Sequence, residues 1–335
     1  MKLSIIVPVY NLEDYIAECL QSLADIQLSP DEYEVLVIDD GSTDGSESVI
    51  NTLVHKYPQI QYFYQNNKGV GAARNLGIQH AKGDYLWFVD GDDFVYSDKV
   101  KQGLEEAFIN DLDVLTFNFT PVNEKGLPQT WVSFNFKSSD RNIVSGSEFY
   151  YYNYAKSYLW LCFFKRRIFL QHNLTFQNSI KMQDGEIFPR IMIHCQSLKH
   201  FNERLIYYRY REQSAVNSKN ENARAHFYFS MVIVADSLRM FQQQIDRNEN
   251  ILIYKALSLK RKQLNQMLFT NFILNKYSYV TNKKFITLLK KYELLPFMKI
   301  TGFTIKMNLV FNIVRHIVNV NPIVGRHIYQ LIFKK

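Results

Sequence analysis

The sequence has 335 residues, of which 47% are hydrophobic and 15% aromatic, and this composition excludes a disordered chain. Its net charge of +7 is uneven, because residues 247–335 hold 16 Lys and Arg against 2 Asp and Glu, whereas residues 1–246 hold 23 against 30. A basic region of this kind suggests an anionic partner, either a membrane surface or nucleic acid.

The cysteines Cys19, Cys162 and Cys195 are widely spaced and form no CxxC pair. Free buried thiols in a reducing compartment are therefore expected, rather than a disulfide frame or a zinc site. The sequence contains no apolar run of about 18 residues that would predict a transmembrane helix. The apolar run in the first ten residues is too short for the core of a signal peptide.

Strand and helix patterns alternate through the first part of the chain. They predict a strand at 3–9, a helix at 13–26, a strand at 34–38, a helix ending at 57, a strand at 60–64, a helix at 72–81 and a strand at 85–89. This alternation indicates an α/β fold with a mostly parallel, right-handed sheet and helices on both faces.

The pattern changes in the second part of the chain. It predicts a helix at 100–110, strands at 114–119 and 130–136, helices at 145–156 and 184–195, and a strand at 205–210. Ser145 or Ser147 is expected to cap the helix at 145–156. From residue 222 onward the pattern is helical, which places a domain boundary near 218–222.

Acidic residues follow two of the predicted strands. Asp90, Asp92 and Asp93 lie on a tight turn after the fourth strand, and Asp39 and Asp40 follow the second. Ligands bind at this edge of open α/β sheets, and clustered carboxylates favour a cation. The alternative is a solvated acidic turn with carboxylates that cap the next helix.

A glycine-containing turn, Gly69-x-Gly71-x-x-Arg74, follows the third strand and opens a helix. A dinucleotide-binding turn needs a small residue where this sequence has Arg74, so an NAD site is not expected. Lys68, Arg74 and the helix N-terminus instead suggest a cationic corner for phosphates. The alternative is an ordinary glycine turn with a surface arginine.

Four sequence blocks carry a family resemblance, and they occur in one order and spacing. They are Pro8-Val9-Tyr10-Asn11, Val37 to Asp44, Asn67 to Gly77, and Gly83 to Asp93. Together they resemble the inverting glycosyltransferase family 2, whose GT-A fold is Rossmann-like. The resemblance thins from residue 100 to 220 and is lost after that.

The resemblance implies a binding site for the base of a nucleotide-sugar donor, most often a uracil base. It assigns contact with this base to Tyr10 and Asp40, together with Pro8. Asp39 is a second candidate for the acidic contact. The implied donor is therefore a UDP-sugar.

The resemblance also implies how the rest of the donor is held. Lys68 and Arg74 would lie near the ribose and the phosphates. Asp90 and Asp92 match the family's Asp-x-Asp motif and would bind Mn²⁺ or Mg²⁺, with Asp92 the more direct ligand. Asp93 would reach either the metal or the donor sugar.

The family's catalytic base lies in a Glu-Asp pair at the start of a helix. Here Gln183 and Asp184 occupy these positions, so the resemblance implies that Asp184 is the base. A helix N-cap is the alternative role for Asp184. Glu186 lies two residues on and would face away, which makes it a poor partner in catalysis.

Three further residues acquire roles from the resemblance. Trp160 lies where the family builds its acceptor side, with core packing as the alternative. Arg209 and Arg211 match a late Tyr/Arg segment and would close over the diphosphate. Some relatives have a histidine metal ligand near this segment, and this sequence has none there.

The C-terminal tail projects as an amphipathic helix over 303–320. Its apolar face includes Phe311, Val314 and Val318, and the polar face includes Asn312 and Arg315. The alternatives are packing on its own domain and contact with an anionic membrane. Nucleic-acid binding ranks lower, because no recognised module accompanies the charge.

The sequence therefore predicts a metal-dependent inverting glycosyltransferase that acts on a glycan or lipid-linked acceptor in surface polysaccharide synthesis. A GT-A domain at 1–220, with a donor half at 1–98 and an acceptor half at 99–220, precedes a basic helical region at 221–335. The expected location is the cytoplasm, at the inner face of the membrane. The alternatives are a non-catalytic nucleotide-sugar or glycan-binding subunit and, more remotely, a nucleotidyltransferase.

Overall fold

The computed structural model describes residues 1–130, 136, 142–211, 220–275, 277–301 and 305–332. The chain divides into two compact units, Met1–Ser214 and Ala215–Lys335. The strand predicted at 130–136 lies outside the described residues except for its two ends.

The first unit is built on one eight-stranded sheet. Its strands are β1 Leu3–Val9, β2 Tyr33–Asp39, β3 Ile60–Tyr64, β4 Tyr85–Phe88, β5 Phe94–Val95, β6 Val114–Val122, β7 Cys162–Lys165 and β8 Leu198–Arg209. Its helices are α1 Ile16–Ala24, α2 Ser46–Lys56, α3 Val70–His80, α4 Ser97–Ile109, α5 Gly146–Asn153, α6 Arg166–Gln171 and α7 Gln183–Met192.

The strand order is β3-β2-β1-β4-β7-β6-β8-β5. Strand β1 pairs in parallel with β2 and β4, β2 pairs in parallel with β3, and β6 pairs in parallel with β8. Strand β7 runs antiparallel between β4 and β6, and β5 runs antiparallel to β8. The prediction of an α/β fold with a mostly parallel sheet is confirmed.

Every residue of β1 and β2 is buried, as expected for strands of a parallel sheet that is covered on both faces. The predicted bounds of β1 and β3 are confirmed. Strand β8 begins seven residues earlier than the predicted 205–210. Ser145 caps α5 by accepting from the amide of Glu148 at 3.1 Å, and the three cysteines are free and buried, as predicted.

The second unit is helical, as predicted from residue 222 onward. Its helices are α8 Glu221–Gln244, α9 Ile251–Leu274, α10 Tyr279–Lys291, α11 Ile305–Val320 and α12 Pro322–Ile332. Asn220 caps α8, and Ser278 caps α10. Phe272 of α9 stacks on Phe285 of α10 with ring centroids 5.7 Å apart. Among the described helices, none is long and apolar enough to cross a membrane.

Candidate active site

The carboxyl ends of β1, β2 and β4 meet at one edge of the sheet, because these strands are parallel neighbours. Tyr10 follows β1, Asp39 and Asp40 lie at the end of β2, and Asp90 lies two residues beyond β4. The amide of Asp40 donates to the carbonyl of Val9 at 2.8 Å, which holds two of these ends together. The structure therefore brings the two predicted acidic strand ends to the same edge, where α/β folds bind ligands.

The acidic turn after β4 is closed by a hydrogen bond from the amide of Asp93 to the carbonyl of Asp90, at 2.9 Å. The Asp93 side chain is buried, and its Oδ1 accepts from the amide of Arg209 at 2.8 Å. Its Oδ2 has no hydrogen-bond partner among the described residues. Burial, followed by the charges of Asp92 and Asp90, raises the pKa of Asp93 well above its ordinary value.

Burial also raises the pKa of Asp92, although the adjacent Arg211 opposes the shift. Crowded carboxylates and an unpartnered buried oxygen fit a divalent cation, which prefers oxygen ligands. Within the described ranges, however, no three His, Cys, Asp or Glu side chains converge to hold a metal by themselves. Asp90 and Asp92 could therefore hold a metal only together with oxygens from another source, such as water or a diphosphate.

Arg74 connects the acidic turn to the start of α7. Its Nη2 donates to Asp90 Oδ1 at 2.8 Å, and its side chain is 6% exposed. When the Gln183 amide is oriented with its oxygen toward Arg74, it accepts from Nη1 at 2.9 Å and donates to the carbonyl of Ile180 at 3.1 Å. Arg74, one member of the predicted cationic corner, thus lies between the acidic turn and the residue before Asp184.

Asp39 and Asp40 are both buried, at 1% and 3% exposure. Asp39 accepts from the amide of Ser42 at 2.8 Å and from the hydroxyl of Tyr62 at 2.9 Å. Asp40 accepts from Gln65 Nε2 at 2.7 Å and from two further amides of the same loop. Both carboxylates therefore shape the loops at this edge, and contact with a base remains a prediction.

The two amides that donate to Asp40, each at 2.8 Å, belong to Lys68 and Gly69. Gly69 has a φ of 89°, a left-handed conformation that disfavours side chains, so glycine suits this turn into α3. The Lys68 side chain is exposed, Pro8 is buried within β1, and Tyr10 is 48% exposed. Tyr10 is thus available for stacking, whereas Pro8 can contribute mainly to the shape of the edge.

Arg209 lies in the interior of the first unit at 5% exposure. Its Nε donates to the carbonyl of Asp92 at 2.9 Å, its Nη1 donates to the carbonyl of Glu124 at 2.6 Å, and its Nη2 pairs with Glu18. Arg209 therefore supports the acidic turn from the interior of the first unit. Of the two predicted arginines, Arg211 is the one that pairs with a carboxylate of that turn, Asp92, at 2.6 Å.

Asp184 lies in the first turn of α7, where its Oδ1 accepts from the amide of Gly185 at 2.8 Å. Met182 is the N-cap residue, so the alternative role of Asp184 as the helix cap is wrong. The next acid, Glu186, is buried and pairs with Arg190 at 3.2 Å. Glu186 is thus engaged one turn along the helix, as expected for a residue that does not assist Asp184.

An aromatic cluster links Asp184 to the acidic turn. Trp160 is half-buried and stacks on Tyr208 with centroids 5.1 Å apart, while the Tyr158 ring lies 5.7 Å from Trp160. Burial and then the charge of Asp184 raise the pKa of Tyr158. Burial raises the pKa of Tyr208 to about 12, with further contributions from Asp93 and the other two acids of the turn.

Tyr158 and Tyr208 had no predicted role in the sequence analysis. Tyr208 alternates with Arg209 along β8, and this spacing by itself indicates that the two side chains face opposite sides of the sheet. This alternation could have indicated that Arg209 points to the interior while Tyr208 faces the site. Tyr158 directly precedes a short 3₁₀ helix, Leu159–Leu161, that contains Trp160, and no pattern in the sequence predicted this helix.

A family model described as glycosyl transferase family 2 matches residues 4–175. Among curated relatives, a poly(ribitol-phosphate) beta-glucosyltransferase of Bacillus spizizenii is 32% identical over 190 residues, covering 56% of this chain and 29% of the relative. The uncharacterized glycosyltransferase EpsJ of Bacillus subtilis is 31% identical, covering 62% of this chain and 60% of EpsJ. The chain thus spans less than two thirds of the length of both relatives.

Solved structures show the same fold. The TarS fragment 1–349 from Staphylococcus aureus, in complex with UDP-GlcNAc, superposes with a TM-score of 0.67 at 22% identity, covering 87% of this chain and 80% of that one. A mannosyltransferase from Pyrobaculum calidifontis, in complex with GDP-Man and Mn²⁺, superposes with a TM-score of 0.54 at 15% identity, covering 96% and 87%. At these identities the superpositions carry the fold alone.

Proposed function

This chain belongs to glycosyl transferase family 2, and from that premise we propose that it is a metal-dependent inverting glycosyltransferase. It moves a sugar from a nucleoside-diphosphate donor, a UDP-sugar, to a hydroxyl group of a glycan, polyol-phosphate or lipid-linked polymer. The observation that carries the proposal is the convergence of Asp90, Arg74 and Gln183 in one hydrogen-bonded row, which joins the predicted donor side to the residue before Asp184.

The donor binds along the edge formed by β1, β2 and β4. The exposed ring of Tyr10 stacks on the base, and the loops shaped by Asp39 and Asp40 enclose it, with Pro8 beneath. Lys68 lies near the phosphates with Arg74. Asp39 and Asp40 thus shape the site, whereas Tyr10 and Lys68 contact the ligand.

Asp90 and Asp92 would hold the divalent cation, Mn²⁺ or Mg²⁺. A bound cation supplies Lewis-acid stabilisation for the charge on the departing diphosphate. Asp93 keeps the acidic turn in shape by accepting from the amide of Arg209. Arg211 pairs with Asp92 in the structure, and we propose that it binds the diphosphate as negative charge develops there.

Asp184 acts as the general base. The acceptor hydroxyl oxygen attacks the anomeric carbon of the donor, the bond from that carbon to the diphosphate oxygen breaks, and the hydroxyl proton passes to Asp184. Trp160 stacks one face of its ring on Tyr208 and lies beside Tyr158, and we assign the rest of its ring to contact with the acceptor sugar. Attack from the side opposite the leaving group inverts the configuration at the anomeric carbon.

The chain divides by function near residue 220. Residues 1–98 form the donor half, residues 99–220 form the acceptor half, and residues 221–335 form a basic helical region that approaches an anionic membrane. The Bacillus spizizenii relative is named for poly(ribitol-phosphate), a hydroxyl-rich anionic polymer, so we assign an acceptor of that class. The setting is polysaccharide assembly at the inner face of the membrane, with no nucleic-acid partner.

A thermal-shift screen of nucleotide sugars with and without Mn²⁺ identifies the donor, because ligands of the folded state raise the melting temperature. A transfer assay with the best donor then compares two variants. Asp184→Asn should lose transfer and keep donor affinity, whereas Asp92→Ala should lose both transfer and the Mn²⁺-dependent part of donor binding. Donor binding without transfer to any of a broad acceptor panel would instead support a non-catalytic binding subunit.

A further inference from the structure

Helix α11 has apolar side chains on two opposite sides. Phe311, Val314 and Val318 point into the second unit and are 3%, 2% and 0% exposed. These residues recur at helical spacing, so they form one buried stripe. This stripe alone accounts for the packing of α11 on its own unit, which was one of the two roles expected for this helix.

The polar side of α11 does not face solvent in the way that the amphipathic pattern predicts. Asn312 accepts from the amide of Ile300 at 3.0 Å and donates to its carbonyl at 2.8 Å. Asn319 makes the same paired contacts with Phe297, at 2.7 and 3.1 Å, and Arg315 donates to the Phe297 carbonyl at 3.0 Å. The polar residues are used to satisfy the backbone of the preceding segment.

A second apolar stripe is therefore left on the outside. Leu309, Ile313 and Val320 are spaced by four and seven residues, so they share one face, and they are 63%, 54% and 88% exposed. Ile323 and Val324, at the start of α12, are two further exposed apolar residues close by in sequence, at 49% and 46% exposure. We call these five residues the apolar ridge.

The segment that contains the apolar ridge has a positive net charge. Residues 294–335 contain six Lys and Arg and no Asp or Glu. A cavity of about 270 Å³ opens at Ile323 and is also lined by Lys283, Arg326, His327 and Tyr279. An apolar surface beside a cavity that the exposed Lys283 lines complements a lipid with an anionic phosphate headgroup and acyl chains.

We infer that the apolar ridge docks on the surface of an anionic lipid bilayer, with its side chains in the acyl boundary and a phosphate headgroup in the cavity beside Ile323. The inference deepens the membrane approach proposed above by naming the surface and the headgroup site. A helix lying in the interface needs no membrane-spanning length. Vesicle binding tests it independently of sugar transfer, so its failure leaves the transferase proposal untouched.

The experiment is flotation of the full chain with phosphatidylcholine vesicles, with and without about one third phosphatidylglycerol. The triple variant Leu309→Asn, Ile313→Asn, Val320→Asn should bind anionic vesicles about tenfold more weakly, because three side chains lose the acyl boundary. The matched control is Ile109→Asn, which alters an 80% exposed apolar residue of the first unit and should bind as the wild type does.

The headgroup site has its own pair of variants. Lys283→Gln should reduce the preference for anionic over neutral vesicles, whereas Lys255→Gln, which alters an exposed lysine that does not line the cavity, should not. Circular dichroism and melting temperature confirm folding, because every altered side chain is exposed. Absence of vesicle binding by the wild type, or undiminished binding by the triple variant, overturns the inference. A concentration-dependent dimer that the triple variant abolishes also overturns it, because a second copy would then cover the ridge.

Discussion

Arg211 Nε lies 2.6 Å from Asp92 Oδ2, so the carboxylate predicted to bind a metal is already paired with a cation. The two side chains are 22% and 18% exposed, and the Arg211 guanidinium lies 5.1 Å from the centre of the Tyr15 ring. A pair this sheltered is weakened little by solvent. A divalent cation at Asp92 must therefore compete with Arg211.

Replacing Arg211 with glutamine should tighten Mn²⁺ binding in the absence of nucleotide by about tenfold, equivalent to about 1.4 kcal/mol. The reason is that Mn²⁺ no longer displaces an arginine from Asp92. Isothermal titration calorimetry measures the change, and Arg167→Gln is the control, because Arg167 pairs with the distant Asp113 at 3.1 Å. Equal or weaker Mn²⁺ binding by Arg211→Gln would show that the pair does not compete with the metal.

Substitutions of Asp40 and Tyr10 should distinguish a residue that shapes the donor site from one that contacts the donor. Asp40→Asn places an amide against the amides of Lys68 and Gly69, so the free energy of unfolding should fall by about 2 kcal/mol along with donor affinity. Tyr10→Ala removes a side chain that is 48% exposed. It should change stability by less than about 0.5 kcal/mol while weakening donor binding about tenfold.

Urea unfolding and donor titration together decide this comparison. All three tryptophans, Trp87, Trp131 and Trp160, belong to the first 214 residues, so their fluorescence follows the unit that holds the site. A stable Asp40→Asn protein that has lost only donor binding would assign Asp40 to direct base contact. A Tyr10→Ala protein with full donor affinity would remove Tyr10 from the site.

Gln183 tests the link between Arg74 and the start of α7. Gln183→Leu removes the oxygen that accepts from Arg74 Nη1 and should cost about 2 kcal/mol of unfolding free energy, because a buried guanidinium loses a partner. Gln183→Glu keeps the oxygen that accepts from Arg74 and loses only the donor to the Ile180 carbonyl, so it should cost less stability than Gln183→Leu while adding a charge beside Asp184. The acidic limb of the pH profile of kcat should move to higher pH, because a neighbouring carboxylate disfavours the ionised base.

The two Gln183 variants are each other's controls. Equal stability in both would mean that the Gln183 oxygen does not face Arg74. An unchanged pH profile in Gln183→Glu, with the protein folded, would mean that position 183 and the group that titrates in the rate profile do not interact.

The elements of the donor side were predictable because their signals are local. Strands β1 and β3 are short apolar or aromatic runs ended by turn residues, and their observed bounds are the predicted ones. The acids after β2 and β4 were expected to lie together for a topological reason, since parallel neighbours end at one edge. Family membership followed from four motifs within the first 93 residues.

The remainder depended on contacts that one sequence does not encode locally. Strand β7 was missed because four residues between β4 and β6 gain their strand conformation from antiparallel pairing with both. Arg209 reads as a ligand for phosphate, yet it is held inside by partners far away in sequence, Glu18 and Glu124. In α11 the helical period was correct, but it could not show that Asn312 would bind a backbone segment.

His194 should make the stability of the first unit depend on pH. Its ring stacks on that of His172 with centroids 3.5 Å apart, and burial, followed by the charges of His172 and Arg190, lowers the pKa of His194 to about 4. In the unfolded chain a histidine pKa is about 6.5. Between these two values the unfolded chain binds a proton that the folded protein does not, so stability falls as the pH falls.

Because the His194 ring is only partly buried, we discount the full shift to a loss of about 1 kcal/mol between pH 7 and pH 5. His194→Gln cannot take up the proton, so its urea midpoint, followed by tryptophan fluorescence, should fall less over that interval. His55→Gln is the control, because His55 is exposed on α2 and its replacement should leave the wild-type slope unchanged. If wild type and His194→Gln lose the same stability on acidification, protonation of His194 does not oppose folding.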